Sequence, residues 1–251
     1  MKGGRVTFLD CPLDLIAPAG ILQRANTSLR GQGRLRIEGL NVAKLIEARG
    51  APALLAALQE AELVHVDGAG ISLGLRAVGI SAPERRAGID LMVDLCHLAA
   101  AAGKSVYLLG ARPEVVRMTA QKLRDAVPGL TIAGTRDGYF TEKDEMSVVE
   151  SIKRSGAGLL FIGISSPKKE LFLQTHWECL GVPLAMGVGG AFDVLSGLLQ
   201  RAPVWMQSLG MEWLFRMAQE PRRLLGRYVR TNLRFLWLIV AVRLTKFRTE
   251  V

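Results

Sequence analysis

Five short apolar runs, Glu62 to Val66, Ser105 to Leu109, Leu130 to Thr135, Leu159 to Ile162 and Pro183 to Val188, are each followed by a loop and then a helical pattern. Runs of this length between turn residues read as buried strands. Their alternation with helices implies βα units and a mainly parallel sheet. The expected fold class is therefore α/β and Rossmann-like, with helices flanking the sheet.

Several helix ends are readable. Pro113 suits a first helical position and Pro128-Gly129 a stop. Thr141 with Asp144 reads as a capping box, and Ser166-Pro167 as an N-cap with proline at N1. Ligands of open α/β sheets sit beyond the carboxyl ends of the strands. The loops that matter are then DGAGIS, LGARPE, GISSPKKE and VGGAFD, which carry Asp67, Gly68, Gly110, Ser166, Lys168, Lys169, Gly189 and Asp193.

After Gly197 the texture changes to a segment rich in Arg, Leu and Trp that holds three of the four tryptophans. The expected partition is an α/β domain over residues 1–197 and a helical, Arg-rich appendage over 198–251. The net charge of +9 is concentrated there: Arg201 to Val251 carries ten Lys and Arg against three Asp and Glu. At 49 % hydrophobic and 22 % charged, the chain has the composition of an ordinary globular protein. Cys11, Cys96 and Cys179 lie far apart with no CxxC, which argues against a disulfide framework or a zinc knuckle and fits a reducing cytosol. Asp10, Pro12 and Asp14 interrupt what would be the apolar part of a signal peptide, so none is expected.

Asp67 opens the run DGAG, whose GxG spacing invites a dinucleotide fingerprint. The fit is poor. The third glycine should fall at position 73, which is leucine, and the downstream acid, Asp90, lies in IDLMVDLCHLAAAAG, a helical pattern. Two local readings of Asp67 stay open: a turn residue before glycine, or a general base fixed at a strand's carboxyl edge.

Lys168 and Lys169 stand in the first turn of a helix, where the macrodipole disfavours cations. With the Ser166 hydroxyl they read as a phosphate or diphosphate site, or alternatively as solvated lysines. There is no DxD pair or HExxH, and Asp90, Asp94 and His97 read as a polar helix face, so no metal is expected. Side-chain cations would then stabilise a departing diphosphate.

Arg223, Arg227, Arg230 and Arg234 follow i, i+4, i+7 and i+11 after Pro221 and define one stripe of a helix. Leu233 to Leu244 is mostly apolar, but twelve helical residues span about 18 Å against a hydrocarbon core of about 30 Å. The helix is expected to lie in the interface of an anionic membrane. The other reading is a helix packed on the protein's own core or on a second subunit, as in a homo-oligomer. Nucleic acid is not an expected partner, because aromatic stacking platforms are lacking.

The ordered series NVAKL, VDGAG, ERRAGIDL, VYLLGARPEVV, PGLTIAGTRDGYF, LLFIGISSPKKE, GVGGAFDVLSG and RAPVWMQSLGMEWLFRMAQEPRRLLGRY, spread over roughly residues 37 to 230, resembles the bacterial WecG/TagA/CpsF glycosyltransferase family. The resemblance implies transfer of a hexose or N-acetylhexosamine from a UDP-sugar to a polyprenyl-diphosphate-linked saccharide. It implies a peripheral enzyme on the cytoplasmic face of the bacterial inner membrane, inverting, with no essential metal or cofactor. Glucose, N-acetylmannosamine and its uronic acid all stay open as donors.

The same resemblance makes Asp67 the general base and the nearby glycines space for substrate. Asn41 keeps the asparagine of the family's TxN motif while Gly39 replaces its threonine. Arg85 matches the arginine of ER..G.DL, and Lys169 stands where SPKQE has glutamine. Gly68, Gly110, Ser166, Lys168, Gly189 and Asp193 would contact substrate. Arg216, Arg222, Arg223 and Arg227 would come over the site from the appendage. The alternatives are a UDP-binding homologue without catalysis and an NAD-dependent oxidoreductase.

Overall fold

The computed structural model describes the backbone of residues 4–249 and the side chains of residues 4–244. An N-terminal hairpin, β1 (Arg5–Phe8) and β2 (Cys11–Asp14), turns at Leu9 and Asp10, both with positive φ. There follow α1 (Pro18–Leu29), β3 (Leu35–Leu40), α2 (Val42–Arg49), α3 (Pro52–Glu60), β4 (Leu63–Val66), α4 (Ala69–Ala77) and α5 (Gly88–Ala101). The second half adds β5 (Val106–Gly110), α6 (Pro113–Ala126), β6 (Ile132–Arg136), α7 (Glu145–Ser155), β7 (Leu159–Gly163), α8 (Lys168–Leu180) and β8 (Leu184–Gly187). Last come α9 (Ala191–Leu195), α10 (Val204–Ser208), α11 (Glu212–Gln219) and α12 (Pro221–Thr249).

Strands β3 to β8 form one parallel sheet in the order β4-β3-β8-β7-β5-β6, with helices on both faces. The α/β, Rossmann-like expectation holds, and all five apolar runs are strands. The sixth, β3, was not among them. Its sequence LRIEGL looks amphipathic, yet every residue is buried. Arg36 is neutralised by Glu62 at 3.0 Å and Glu38 by Lys44 at 2.8 Å, so two charges pass as core residues.

Side chains alternate between the faces as the pleat requires. Leu108, Phe161 and Met186 join Leu91, Leu95 and Phe192 on one side, while Leu109, Ile162 and Ala185 join Phe172 and Trp177 on the other. The hairpin closes the β4 edge: the Asp14 carboxylate accepts the Val64 N–H at 2.7 Å and is held by Arg5 at 2.8 Å.

The helix ends follow their local chemistry. Pro113 opens α6, and Thr141 and Asp144 form the capping box of a short 3-10 turn leading into α7. Helix α8 begins at Lys168, one residue later than expected, with Pro167 as its cap.

The long helix α12 divides lengthwise. Leu224, Thr231, Phe235 and Ile239 are buried, Phe235 meeting Phe8 edge-on at 6.4 Å, in the same apolar cluster as α2, α3 and α4. Leu225, Val229, Leu233, Leu236 and Val240 are exposed. Among the described residues no helix is long and apolar enough to cross a membrane. The expected boundary after residue 197 falls just beyond α9, and the end positions 1 and 251 lie outside the described residues.

Gly110, expected in substrate contact, is not among the residues that border the cleft described below, although Ala111 beside it is. Its φ is +136°, and a Cβ there would lie 2.4 Å from the carbonyl carbon of Gly163 on β7. It lets β5 and β7 stay paired to their ends. Gly110→Ala is expected to cost at least about 2 kcal/mol, measured as a lowered urea midpoint.

Candidate active site

The carboxyl ends of the strands open into a cleft of about 1420 Å³, roofed by residues 209–211, α11 and the first half of α12. Of the expected site residues, Asn41, Asp67, Gly68, Arg85, Ser166, Lys168, Lys169, Gly189, Asp193, Arg216, Arg223 and Arg227 border it. Arg222 is exposed and outside it.

Asp67 directly follows β4, its N–H bonded to the Leu40 carbonyl at 3.1 Å, so the sheet fixes its backbone. One carboxylate oxygen, Oδ1, accepts the N–H of Gly88 at 3.0 Å. Gly88 is the first residue of α5, and the carboxylate therefore sits at the positive end of that helix. Its own turn does not hold it. The other oxygen accepts no hydrogen bond from the described residues, and the side chain is half-buried at the cleft wall.

Asn41 caps α2, its Oδ1 accepting the Lys44 N–H at 3.0 Å. The glycines after Asp67 serve this junction. A Cβ on Gly68 would lie 3.0 Å from Asn41 Cβ, and one on Gly70 would lie 2.6 Å from Val42 Cγ2. Both glycines also border the cleft, so they serve the packing of α2 and the cleft wall together. Asp90 lies within α5 and pairs with Arg201 at 2.7 Å, so the acid of a dinucleotide fingerprint is not in place.

The lysine pair also behaves differently from the expected anion site. Lys169 is only 3 % exposed and contacts Glu38 at 3.3 Å and the Glu170 carboxylate. Lys44 joins the same group, 2.8 Å from both Glu38 and Glu170. The anions that Lys169 needs belong to the protein. Lys168 donates to the Phe140 carbonyl at 2.7 Å and lies 4.1 Å from the centre of that ring. Ser166 Oγ is buried without a hydrogen-bond partner among the described residues, and of the three residues expected at this helix start it alone keeps an uncommitted polar group.

Burial alone would raise the Glu170 carboxyl, but Lys44 and then Lys169 outweigh it and hold the group well below the usual carboxylate range. Burial also works against the Lys44 ammonium, and Glu170 with Glu38 reverses it, raising Lys44 above its ordinary value. Lys169 moves down, because burial there exceeds the pull of Glu38.

Arg85 connects floor and roof. It donates to the Asp67 carbonyl at 3.3 Å and to the Gln207 carbonyl at 3.3 Å, and pairs with Glu212 at 3.2 Å. Arg216 lies over Gly190, donating to its carbonyl at 3.3 Å, with Asp193 at 3.7 Å and Glu220 at 3.6 Å. Burial raises the Asp193 carboxyl against the opposing charge of Arg216. Arg223 pairs with Glu220 at 2.6 Å, and Arg227 makes a two-bonded contact with Glu47 on α2 at 2.7 and 2.8 Å.

Glu38, Lys44 and Glu212 were not expected. Glu38 carries no spacing signal, whereas Lys44 stood within the NVAKL stretch and Glu212 within GMEWL. Among the described residues no group of three or more His, Cys, Asp and Glu is placed to hold a metal ion. Asp94, one of the three residues considered for that, pairs with Arg86 at 2.8 Å.

A carboxylate fixed at a strand end thus faces a cleft with arginines along its roof, on an α/β fold. Residues 6–249 match the Glycosyl transferase WecG/TagA/CpsF family, and the chain belongs to it. The family suggests a glycosyltransferase in cell-surface polysaccharide synthesis.

The buried charges have a pH signature. A carboxylate depressed in the folded state contributes stability that is complete above its unfolded value, about 4.3, and fades as the pH falls through the lower folded value. The native protein is expected to lose stability from pH 6 to pH 3. Glu170→Gln, destabilised at pH 6 by roughly 3–5 kcal/mol, should show a shallower loss; urea midpoints at both pH values check this.

Proposed function

We propose that the chain transfers a hexose or N-acetylhexosamine, of the glucose, N-acetylmannosamine or N-acetylmannosaminuronic acid type, from a UDP-sugar to a polyprenyl-diphosphate-linked saccharide. The observation that carries this is the Asp67 carboxylate: one oxygen fixed by α5, the other uncommitted at the cleft wall. The acceptor hydroxyl gives its proton to Asp67 as its oxygen bonds to the anomeric carbon. The bond from that carbon to the diphosphate oxygen breaks, and its electron pair leaves with UDP. One such displacement inverts the anomeric centre and needs one base and no covalent nucleophile.

Arg216 and Arg223, which border the cleft from the roof, are the candidates to offset charge on the departing diphosphate. In this reading residues 1–197 carry the base and residues 198–251 close over it, limiting water. The chemistry calls for no cofactor.

The exposed stripe of α12, Leu225, Val229, Leu233, Leu236 and Val240, supports a peripheral seat on an anionic membrane, with Arg223, Arg230 and Arg234 along its flank. Trp205 of α10 and Leu209 just after it are exposed too. The proposed location is the cytoplasmic face of the bacterial inner membrane. A second copy of the chain covering the same stripe is the competing arrangement.

The direct test offers UDP-glucose, UDP-N-acetylmannosamine and its uronic acid with a polyprenyl-diphosphate-linked saccharide; UDP binding without transfer from any of them would favour a non-catalytic homologue. Asp67→Asn is expected to fold normally and transfer at least ~100-fold more slowly. Near-normal turnover would remove Asp67 as the base.

Because Phe235 and Ile239 are core residues, deleting α12 would disturb the fold. The membrane seat is better tested by Leu233→Gln with Leu236→Gln, both exposed. Sedimentation with anionic liposomes should weaken at least ~10-fold. Unchanged sedimentation, or a dimer lost in its place, would sink the membrane part of the proposal.

A further inference from the structure

Beside Asp67 the structure holds a second polar group that the reaction above does not use. On β4 the pleat puts His65 and Asp67 on the same face, and Gly39 of β3 pairs in register with His65. A Cβ on Gly39 would lie 2.8 Å from Asp67 Cβ and 3.3 Å from His65 Nε2, so only glycine lets these side chains pack against β3, and all three residues border the cleft. Met186 and Gly88 also border the cleft here, the Cβ position of Gly88 lying 3.2 Å from Asp67 Oδ1 and 4.0 Å from Met186 Cε.

His65 is 2 % exposed yet borders the cleft. Its Nδ1 is 3.3 Å from the Val66 carbonyl, an acceptor only, so Nδ1 carries the proton in that contact and Nε2 presents a lone pair. Nε2 has no hydrogen-bond partner among the described residues. Burial pushes the imidazole below its ordinary value, against the opposing effect of Asp67, which keeps it neutral at physiological pH. A neutral ring acceptor needs a donor. An ionised diphosphate offers none, whereas a sugar hydroxyl does.

We infer that His65 contacts the transferred sugar, its Nε2 accepting a hydrogen bond from a ring hydroxyl at the cleft wall beside Gly39. This rests on the UDP-sugar reading above. It makes His65 a specificity residue of the donor site, separate from the base.

The test uses the full chain and calorimetric affinities for UDP, UDP-glucose, UDP-N-acetylmannosamine and its uronic acid. His65→Phe keeps a ring of similar size without the acceptor, and His65→Gln keeps an acceptor oxygen near the Nε2 position. The sugar nucleotide that the native protein binds should bind His65→Phe about five- to tenfold more weakly. UDP should bind all three proteins within about twofold, and His65→Gln should retain most of the sugar-nucleotide affinity.

Unchanged sugar-nucleotide affinity in His65→Phe overturns the inference and leaves the donor reading intact. So does an equal loss for UDP, which marks a structural role, or a His65→Gln that falls as far as His65→Phe. If the native protein binds none of the three, the donor reading fails and the inference with it.

Discussion

Two lysines and two glutamates locked together beneath the strand ends are the constraint on which the site's geometry depends. Glu38 comes from β3, Lys44 from α2, and Lys169 and Glu170 from the first turn of α8. The group is neutral overall, and each member is almost fully buried, so moving one leaves an unmatched charge in a low dielectric. Asn41 lies three residues from both Glu38 and Lys44, and Ser166 three residues before Lys169. The two loops that border the cleft from β3 and β7 are thereby tied to one another through charge rather than through apolar packing.

The roof is held differently. Arg85 with Glu212, Arg216 with Asp193 and Glu220, and Arg223 with Glu220 are part-exposed pairs. Pairs of that kind are individually weak, roughly 0–1 kcal/mol. Under the proposed function an arriving diphosphate competes with carboxylates for these arginines, and the exchange costs little. Under the same proposal a rigid floor and a lightly tethered roof would divide the work, one fixing the base and the other adapting to the leaving group.

Most of the sheet was legible because β4, β5, β7 and β8 are buried parallel strands that show as apolar runs, and the half-buried edge strand β6 keeps such a run as well. Strand β3 was hidden because its two charges find partners elsewhere in the fold, Arg36 in Glu62 and Glu38 in Lys44. The hairpin was hidden as well: Leu9 and Asp10 take positive φ with no Asn-Gly to announce the turn, and Pro12 sits inside β2. The basic start of α8 was visible, but not that Lys169 would meet Glu38, 131 positions away. Helical spacing revealed the arginine stripe of α12. Which arginine is committed depended on Glu47, 180 positions from Arg227, and no periodicity carries that. The glycines at 68 and 70 show the limit of motif reading, since the same absence of a side chain can admit a ligand or a neighbouring helix.

The lengthwise division of α12 into a core side, an apolar open side and an arginine margin makes its reading frame a structural quantity. Each residue advances the helix by about 100°. One residue inserted near Gly226 would turn everything beyond it by that angle, bringing the exposed leucines round and carrying Phe235 and Ile239 out of their seats against α2 and α4. Seven inserted residues, close to two whole turns, would restore the angular match while shifting it about 10 Å along the axis. The tail should therefore tolerate exchanges of residue type within each side far better than changes of length, and its length is as much a part of the protein's information as its composition.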